Sequence, residues 1–435
     1  MNPGLVIKLR PSGPWRIGPD SGARNRVDVV YHSDSLYSAV TSAMVRMGAL
    51  EAWLDATARA SVSAVCFSSC FPFLDEISFV VPPRTMWPPT SPALMSASVR
   101  WKSARFVPLA VVQAMLAGQP LDKNRWAVDG ASACLVPAGR PGPFRTGVRW
   151  SAAVDRLSGA SERHGTACIE FRPGAGLWTV VSFSDDSARD RWMGPVKAAF
   201  RLLADTGFGG ERSRGWGRSE PPEFTEGALP DMISIAPEEV LPEPIEPPAP
   251  APVPEPEIVP APEAAPEPEP ELAAALEAAL AAQDETALLE APEPTRAEPE
   301  PPAAEPEPPA DPEPEPPAAD ALLLPPEPEL PAVEPHTPAI PGLQAHWLLS
   351  LFAPAPADTV DWARGSYVVL ARGGRIESPA ASGELKKQVR MVAEGSVLYA
   401  GTAPCGSAAD VAPDGFAHPV FRAGFALAIP LPEVR

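Results

Sequence analysis

Cysteine is scarce, with five residues in a chain of 435. An odd, scattered set builds no disulfide framework, and Cys66 with Cys70 lacks a second pair to complete a zinc site. The five read as buried thiols, because free cysteine behaves as a small hydrophobe. No apolar run is long enough to cross a bilayer, and the opening Met1-Asn2-Pro3-Gly4-Leu5-Val6-Ile7-Lys8 has no charged region followed by an apolar signal core. A cytoplasmic protein without membrane contact is the expectation. The phosphate-loop signature Gly-Lys-Ser/Thr is also missing, so a P-loop nucleotide site is excluded. No metal and no cofactor are expected.

Proline, in contrast, is abundant, with 61 residues, most of them between Ala236 and Ile340. There Glu-Pro, Pro-Glu and Ala alternate, a composition that builds no core and favours an extended, self-repelling spacer. Leu272 to Leu289, free of proline and rich in Ala, Leu and Glu, reads as a transient helix within it. This stretch also carries 26 of the 55 acidic residues and one of the 35 bases, Arg296. It therefore holds −25 of a total of −20, and the remainder of the chain is +5. The foldable part is mildly basic, which permits a phosphate-bearing partner that the bulk charge would repel.

Leu5, Ile7 and Leu9 alternate with Val6, Lys8 and Arg10, which predicts a first strand. A helix follows, capped by Ser33, Asp34 or Ser35, with Leu36, Ala39, Val40, Ala43, Met44 and Met47 at helical spacing and Gly48 at its end. Further strands are predicted at Ile77 to Val81, Arg105 to Val107, Val148 to Val154, Ala167 to Phe171 and Trp178 to Phe183. Between Pro82 and Trp150 the chain, with Trp87, Trp101, Lys102, Arg105, Arg125 and Trp126, reads as an excursion from the core. Pro195 suits the first turn of a helix whose stripe is Val196, Ala199, Phe200 and Leu203. After the spacer, Trp347, Leu349 and Leu351 alternate, Gly373-Gly374 suggests a hairpin turn between Tyr367 to Ala371 and Arg375-Ile376, and Phe421 to Ile429 closes as a strand. The predicted class is α+β. It has two ferredoxin-like (RRM-type) domains, over residues 1–230 with the long excursion and 343–435, and a disordered acidic linker over 231–342.

One stretch carries chemistry. Gly207-Phe208-Gly209-Gly210-Glu211-Arg212-Ser213-Arg214-Gly215-Trp216-Gly217-Arg218 packs five glycines, three arginines and a tryptophan into twelve positions. Glycines let backbone amides approach a phosphate, arginines add forked donors, and Trp216 offers a stacking face. A helix precedes this loop and a strand follows it, the reverse of the strand-loop-helix order of dinucleotide sites. The combination suits RNA.

With that loop in view, the chain resembles the RAMP superfamily of CRISPR proteins. Three further stretches are similar to the fourth-subunit family of type III-A Csm effector complexes: His32 to Ala39, Val154-Asp155-Arg156-Leu157-Ser158-Gly159, and His418 to Phe425. The resemblance covers residues 1 to about 225 and about 343 to 435. It implies a non-catalytic subunit that grips the repeat-derived 5′ tag of crRNA and contacts the large polymerase/cyclase-like subunit and the backbone subunits. Target RNA would be met only indirectly. By resemblance, Gly207, Gly209, Gly210, Arg212, Ser213, Arg214, Gly215, Trp216, Gly217 and Arg218 face the tag, as do His32 and Ser33. Arg145, Arg149 and Arg156 flank a protruding hairpin near the first guide-target pairs. Asp34 reads as a helix cap, and the excursion's tryptophans as docking residues for neighbouring subunits.

Two rivals stand beside this reading. One is a metal-independent RNA-processing nuclease of the same superfamily with His32 or another histidine as general acid or base. The other is a scaffold acting through its Pro/Glu arm. If the arm's charge suppresses non-specific binding, deleting residues 236–340 raises affinity for unrelated RNA at low salt. A filter-binding titration checks this, and an unchanged affinity contradicts it.

Overall fold

The computed structural model describes residues 2–18, 23–89, 100–154, 156, 161–233, 342–377 and 382–432. The expected spacer, with its transient helix, lies outside the described residues apart from its ends. In chain order the first part runs β1 (Asn2–Leu9), α1 (Ser33–Arg46), α2 (Leu50–Ala56), β2 (Val65–Phe67), β3 (Phe71–Leu74), β4 (Ile77–Val80) and β5 (Val107–Pro108). It continues with α3 (Leu109–Leu116), β6 (Trp126–Asp129), β7 (Cys134–Pro137), β8 (Phe144–Val154), β9 (Ser161–Phe171), β10 (Ala175–Phe183), α4 (Asp186–Thr206) and β11 (Glu223–Leu229).

Leu5, Ile7 and Leu9 are fully buried, as a period of two requires of a strand with an inward face. β1 lies between β10 and β11, antiparallel to both, and β10 is flanked on its far side by β2 and β3. The sheet order is β11-β1-β10-β3-β4-β5, with β2 also on β10. Helices α1 and α4 pack on each other, and α4 on β1 and β10. Strand-helix-strand-strand-helix-strand interleaving thus survives, with everything from β4 to β9 inserted between its second and third strands.

β2 and β3 are one strand interrupted at Ser68-Ser69. Ser68 keeps the ladder closed, with its amide donating to the Val180 carbonyl at 2.8 Å and its hydroxyl accepting from the Val180 amide at 2.8 Å. Ser69 is thereby displaced, and its amide donates to the Leu349 carbonyl at 2.9 Å.

Helix α4 begins nine residues before Pro195. Asp185 caps it, accepting from the Ala188 amide at 2.8 Å, and Ala188, Trp192, Val196, Ala199, Phe200 and Leu203 bury one face. Packing of that stripe outweighs the proline, which sits inside the helix rather than in its first turn. Much of the described chain between Pro82 and Phe144 is folded onto the core. Trp101, Phe106, Val107 and Trp126 are buried and Trp87 stacks on Trp101 at 5.9 Å, so the buried Trp101 and Trp126 serve this chain's own core.

The C-terminal part runs β12 (Gln344–Leu348), β13 (Val360–Ser366), β14 (Val369–Arg372), β15 (Arg375–Glu377), β16 (Ser382–Leu385), β17 (Val389–Val392), β18 (Val397–Ala400), β19 (Gly406–Asp410), β20 (Phe421–Phe425) and β21 (Ala428–Pro430). A second ferredoxin-like unit is not what these residues build, because among the described residues from 342 to 432 there is no helix. One sheet has the order β13-β18-β12-β21, and β14-β17, β15-β16 and β19-β20 form pairs. Gly373-Gly374 is no hairpin turn: β14 pairs with β17 and β15 with β16, so the chain runs on through the glycines. The closing strand is two, β20 and β21, in different sheets.

The two stretches read from sequence as separate domains share one hydrophobic core. The described residues up to 233 and from 342 onward cluster as a single compact unit. Trp347, Leu349, Val397 and Phe425 join the same apolar cluster as the β1-β10 sheet, and Phe425 meets Tyr37 edge-on at 5.6 Å. The Trp347 indole N–H donates to the Val81 carbonyl at 3.2 Å. Trp347→Ala is expected to cost about 3–5 kcal/mol. Denaturant unfolding checks this, with both parts melting in one lowered transition. Separate transitions for the two parts would contradict a common core.

Candidate nucleic-acid interface

α4 ends on Gly207 at φ +94, and the loop that follows is built by glycine geometry. A Cβ on Gly217, at φ +78, would stand 1.9 Å from the Phe208 carbonyl oxygen, and one on Gly209 would stand 2.4 Å from that of Arg16. These glycines close the loop on itself and on the segment after β1. The Phe208 amide donates to the Gly217 carbonyl at 2.9 Å, the Gly210 amide to Arg16 at 2.8 Å and the Gly217 amide to Pro14 at 3.0 Å. Phe208 is buried, stacked on Trp15 at 5.2 Å. Buried Arg16 ties the neighbouring turn, donating to the carbonyls of Ala23, Arg24, Arg26 and Ala167.

The crest is a short turn, Arg212–Arg214, between two left-handed residues, Glu211 and Gly215. Ser213, Arg214 and Arg218 are exposed, Gly209, Gly210, Arg212, Gly215 and Trp216 half-buried, and Gly207 and Gly217 buried. Arg214 pairs with Glu211 at 3.2 Å. The loop therefore presents side chains on a fixed frame, and several of the amides expected to meet phosphate are spent on holding it.

β8 and β9 form a two-stranded hairpin in unbroken register from Phe144↔Phe171 to Val154↔Ser161. One face carries Arg145 and Arg149, which both reach Glu170, at 2.9 Å and 2.5 Å. An exposed pair of this kind is worth little to stability, so these arginines read first as a paired surface. The other face exposes Val148, Trp150 and Val154, with the Arg163 guanidinium 4.9 Å from the Trp150 ring. Arg156 is exposed; Asp155 and residues 157–160 lie outside the described residues. Trp150 was not among the sequence-predicted contacts, although the apolar-polar alternation of Phe144 to Val154 carried the signal.

His32 and Ser33 do not face outward. His32 is 2% exposed. Its Nδ1 lies 2.7 Å from Glu394 Oε1 and its Nε2 3.2 Å from Asp28 Oδ2, so the ring donates to a carboxylate on each side. Burial alone would push its pKa down, but Glu394 first and then Asp28 raise it to about 9. Ser69 donates to the same Glu394 carboxylate and accepts from the Ser33 amide at 2.9 Å, while the Ser33 hydroxyl accepts from the Leu351 amide at 3.0 Å. Asp34 is not a cap. It accepts from Arg372 Nε at 3.1 Å and Nη2 at 3.0 Å and pairs with Arg422 as well. Burial would raise its carboxyl, and Arg372 with Arg422 instead holds it at about 2. Signals for these partners were absent from the sequence, since Glu394, Arg372 and Arg422 lie more than 300 residues away.

Among the described residues no group of three His, Cys, Asp or Glu is disposed to hold a metal ion, and no helix is long and apolar enough to cross a membrane. Against known proteins, residues 343–431 match the family model of the CRISPR Csm4 C-terminal domain. That stretch is a Csm4-type C-terminal domain. The fold of the chain is similar to a chain in the crystal structure of the Csm3-Csm4 subcomplex of the type III-A CRISPR-Cas interference complex, at 12% identity and a TM-score of 0.50 over 98% of this chain and 99% of that one. It is also similar to a chain of the Csm1-Csm4 cassette in complex with cA4, at 14% identity, a TM-score of 0.46, and 99% and 98% coverage. No curated protein sequence matches it.

The buried charges between the first and last parts of the chain set a pH window. The pKa of His32 is raised on folding, so the stability it contributes is full below about 6.5 and is lost as pH rises through about 9. Urea unfolding from pH 6 to pH 10 should show that alkaline loss, and the double variant His32→Gln with Glu394→Gln should flatten it. An equally steep loss in the double variant would contradict the assignment.

Proposed function

We propose that this Csm4-like chain is a non-catalytic RNA-binding subunit of a type III-A Csm effector complex, holding the 5′ tag of crRNA. In that role it bridges the large Csm1-like subunit to the Csm3-like backbone in antiviral defence. The reading is carried by one conjunction: a Csm4 C-terminal domain over residues 343–431, and a glycine-rich loop that ends α4 and lifts Arg212, Ser213, Arg214 and Arg218 to the surface. The interleaved helices and the strand order β11-β1-β10-β3 support a ferredoxin-like reading of the first part. Phosphates would be held by the loop arginines, whose fork matches phosphate oxygens, and a splayed base would lie on the half-buried Trp216. The hairpin's Trp150 with Arg163 offers a second stacking surface for the guide-target duplex.

The mechanism is positional: backbone contacts fix the register of the guide, and sequence reading is left to base pairing. Complexes described as Csm1-Csm4 and Csm3-Csm4 assemblies support this partner list. A nuclease using His32 is not favoured, because its ring is enclosed and both nitrogens are committed to carboxylates. The scaffold reading has no observation of its own.

Replacing Arg212 and Arg214 together with Ala should weaken binding of a tagged guide and flatten its salt dependence, by roughly 0.7 in log-log slope for each phosphate that is no longer neutralised. Fluorescence anisotropy across a salt series checks this, with circular dichroism to confirm folding. Wild-type affinity and slope in a folded variant would refute the loop's role.

A further inference from the structure

Arg16 is 7% exposed and has no carboxylate partner among the described residues. Its Nη1 donates to the carbonyls of Arg24 at 3.0 Å, Arg26 at 3.4 Å and Ala167 at 3.0 Å, and its Nη2 to that of Ala23 at 2.9 Å. Carbonyl oxygens satisfy those N–H groups and leave the unit charge uncompensated, which favours an anion nearby. The same bonds draw the carbonyls of the turn at 23–26 inward, and the Arg24 carbonyl also accepts from the Ala167 amide at 2.9 Å. The side chains of Arg24, Asn25 and Arg26 are left outside, all three exposed. Among the described residues neither the Arg24 nor the Arg26 guanidinium has a hydrogen-bond or ion-pair partner. Asp28, two residues on, is committed to His32 and to Arg105.

A groove of about 280 Å³ runs between this turn and the root of the β8-β9 hairpin. Asn25 and Arg26 line one side and Thr146, Gly147 and Val148 of β8 the other, and no acidic residue lines it. Thr146 and Val148 share a strand face with the exposed Trp150, since alternate residues point the same way. On the other side, the Arg16 carbonyl accepts from the Gly210 amide at 2.8 Å, so one residue ties the turn to the glycine-rich loop as well as to β9. A cationic groove braced between a loop that displays Arg214 and Arg218 and a hairpin that displays Trp150 suits the backbone of a nucleic-acid strand better than an acidic protein surface.

We infer that the turn at 23–26 is a second grip on the RNA backbone, in which Arg24 and Arg26 take phosphates and Arg16 is the positioning residue beneath them. The inference rests on the RNA-holding reading for its ligand and adds three arginines that carry no assignment.

The test uses the full chain, the double variant Arg24→Ala with Arg26→Ala, and Arg16→Lys, which keeps the charge and removes the fork. Circular dichroism and melting establish folding. Anisotropy over a salt series then reads binding of a guide RNA with its 5′ tag and of the same guide without it. The double variant is expected to bind both RNAs about tenfold more weakly, with a log-log salt slope lower by roughly 1.4 for two phosphates no longer neutralised. Arg16→Lys should weaken binding with the slope kept, and should cost nothing further when added to the double variant, a coupling that a fault in packing alone would not produce. If Arg16→Lys does not fold, the surface double variant decides alone. Wild-type affinity and slope in the folded double variant overturn the grip, and weakened binding of the large subunit in its place assigns the turn to a protein partner. Should the wild type bind both guides equally while the double variant loses slope, the tag reading fails and the grip stands. If the wild type binds neither RNA, both fall.

Discussion

A carboxylate shut away from water must be matched by charge, and Asp34 is matched twice, by a two-pronged bond from Arg372 and by Arg422. Beside it the buried His32 ring is held between Asp28 and Glu394. With the imidazole protonated, Asp28, Asp34 and Glu394 face His32, Arg372 and Arg422, and Arg105 reaches the half-buried Asp28 at 3.6 Å from the outside. Asp28, His32 and Asp34 come from the first part of the chain, and Arg372, Glu394 and Arg422 from the last. Neither set is tolerable alone: an unpaired buried charge costs several kcal/mol. The two parts are therefore obliged to fold together, across the long intervening stretch of proline and acid.

From this junction the rest of the architecture is set. The interruption at Ser68-Ser69 keeps the sheet closed through one serine and turns the other toward Leu349 and Glu394. Apolar packing of Trp347 and Phe425 then extends the first core instead of starting a second. The glycine-rich loop follows the same logic. Trp15, Phe208 and Arg16 fix its floor, and the arginines it displays are held on a rigid frame that limits the entropy given up on binding.

Local patterns in the sequence announced the parts and not the junction. Alternation exposed β1, helical spacing exposed α1, and the glycine-arginine cluster announced a surface loop. The purpose of its glycines was only half visible: Gly209 and Gly217 serve self-packing, a matter of approaches near 2 Å that no composition records. Pro195 misplaced the start of α4, because the burial of Trp192 and Ala188 outweighs a local preference. His32, Ser33 and Asp34 were singled out correctly as special and assigned wrongly as surface or cap. Their partners lie far along the chain, and a carboxylate reads the same whether it ends a helix or is buried among arginines. The C-terminal strands were read as a second copy of the first fold because alternation names strands and says nothing of which of them pair.

The most direct measurement is binding of the purified chain, with and without the large subunit, to a guide RNA bearing its 5′ tag and to the same guide without it, with RNA length checked afterwards. The account predicts a tag-dependent gain in affinity and RNA of unchanged length. Equal affinity for the two guides, or cleavage at the repeat in the absence of metal, would contradict it.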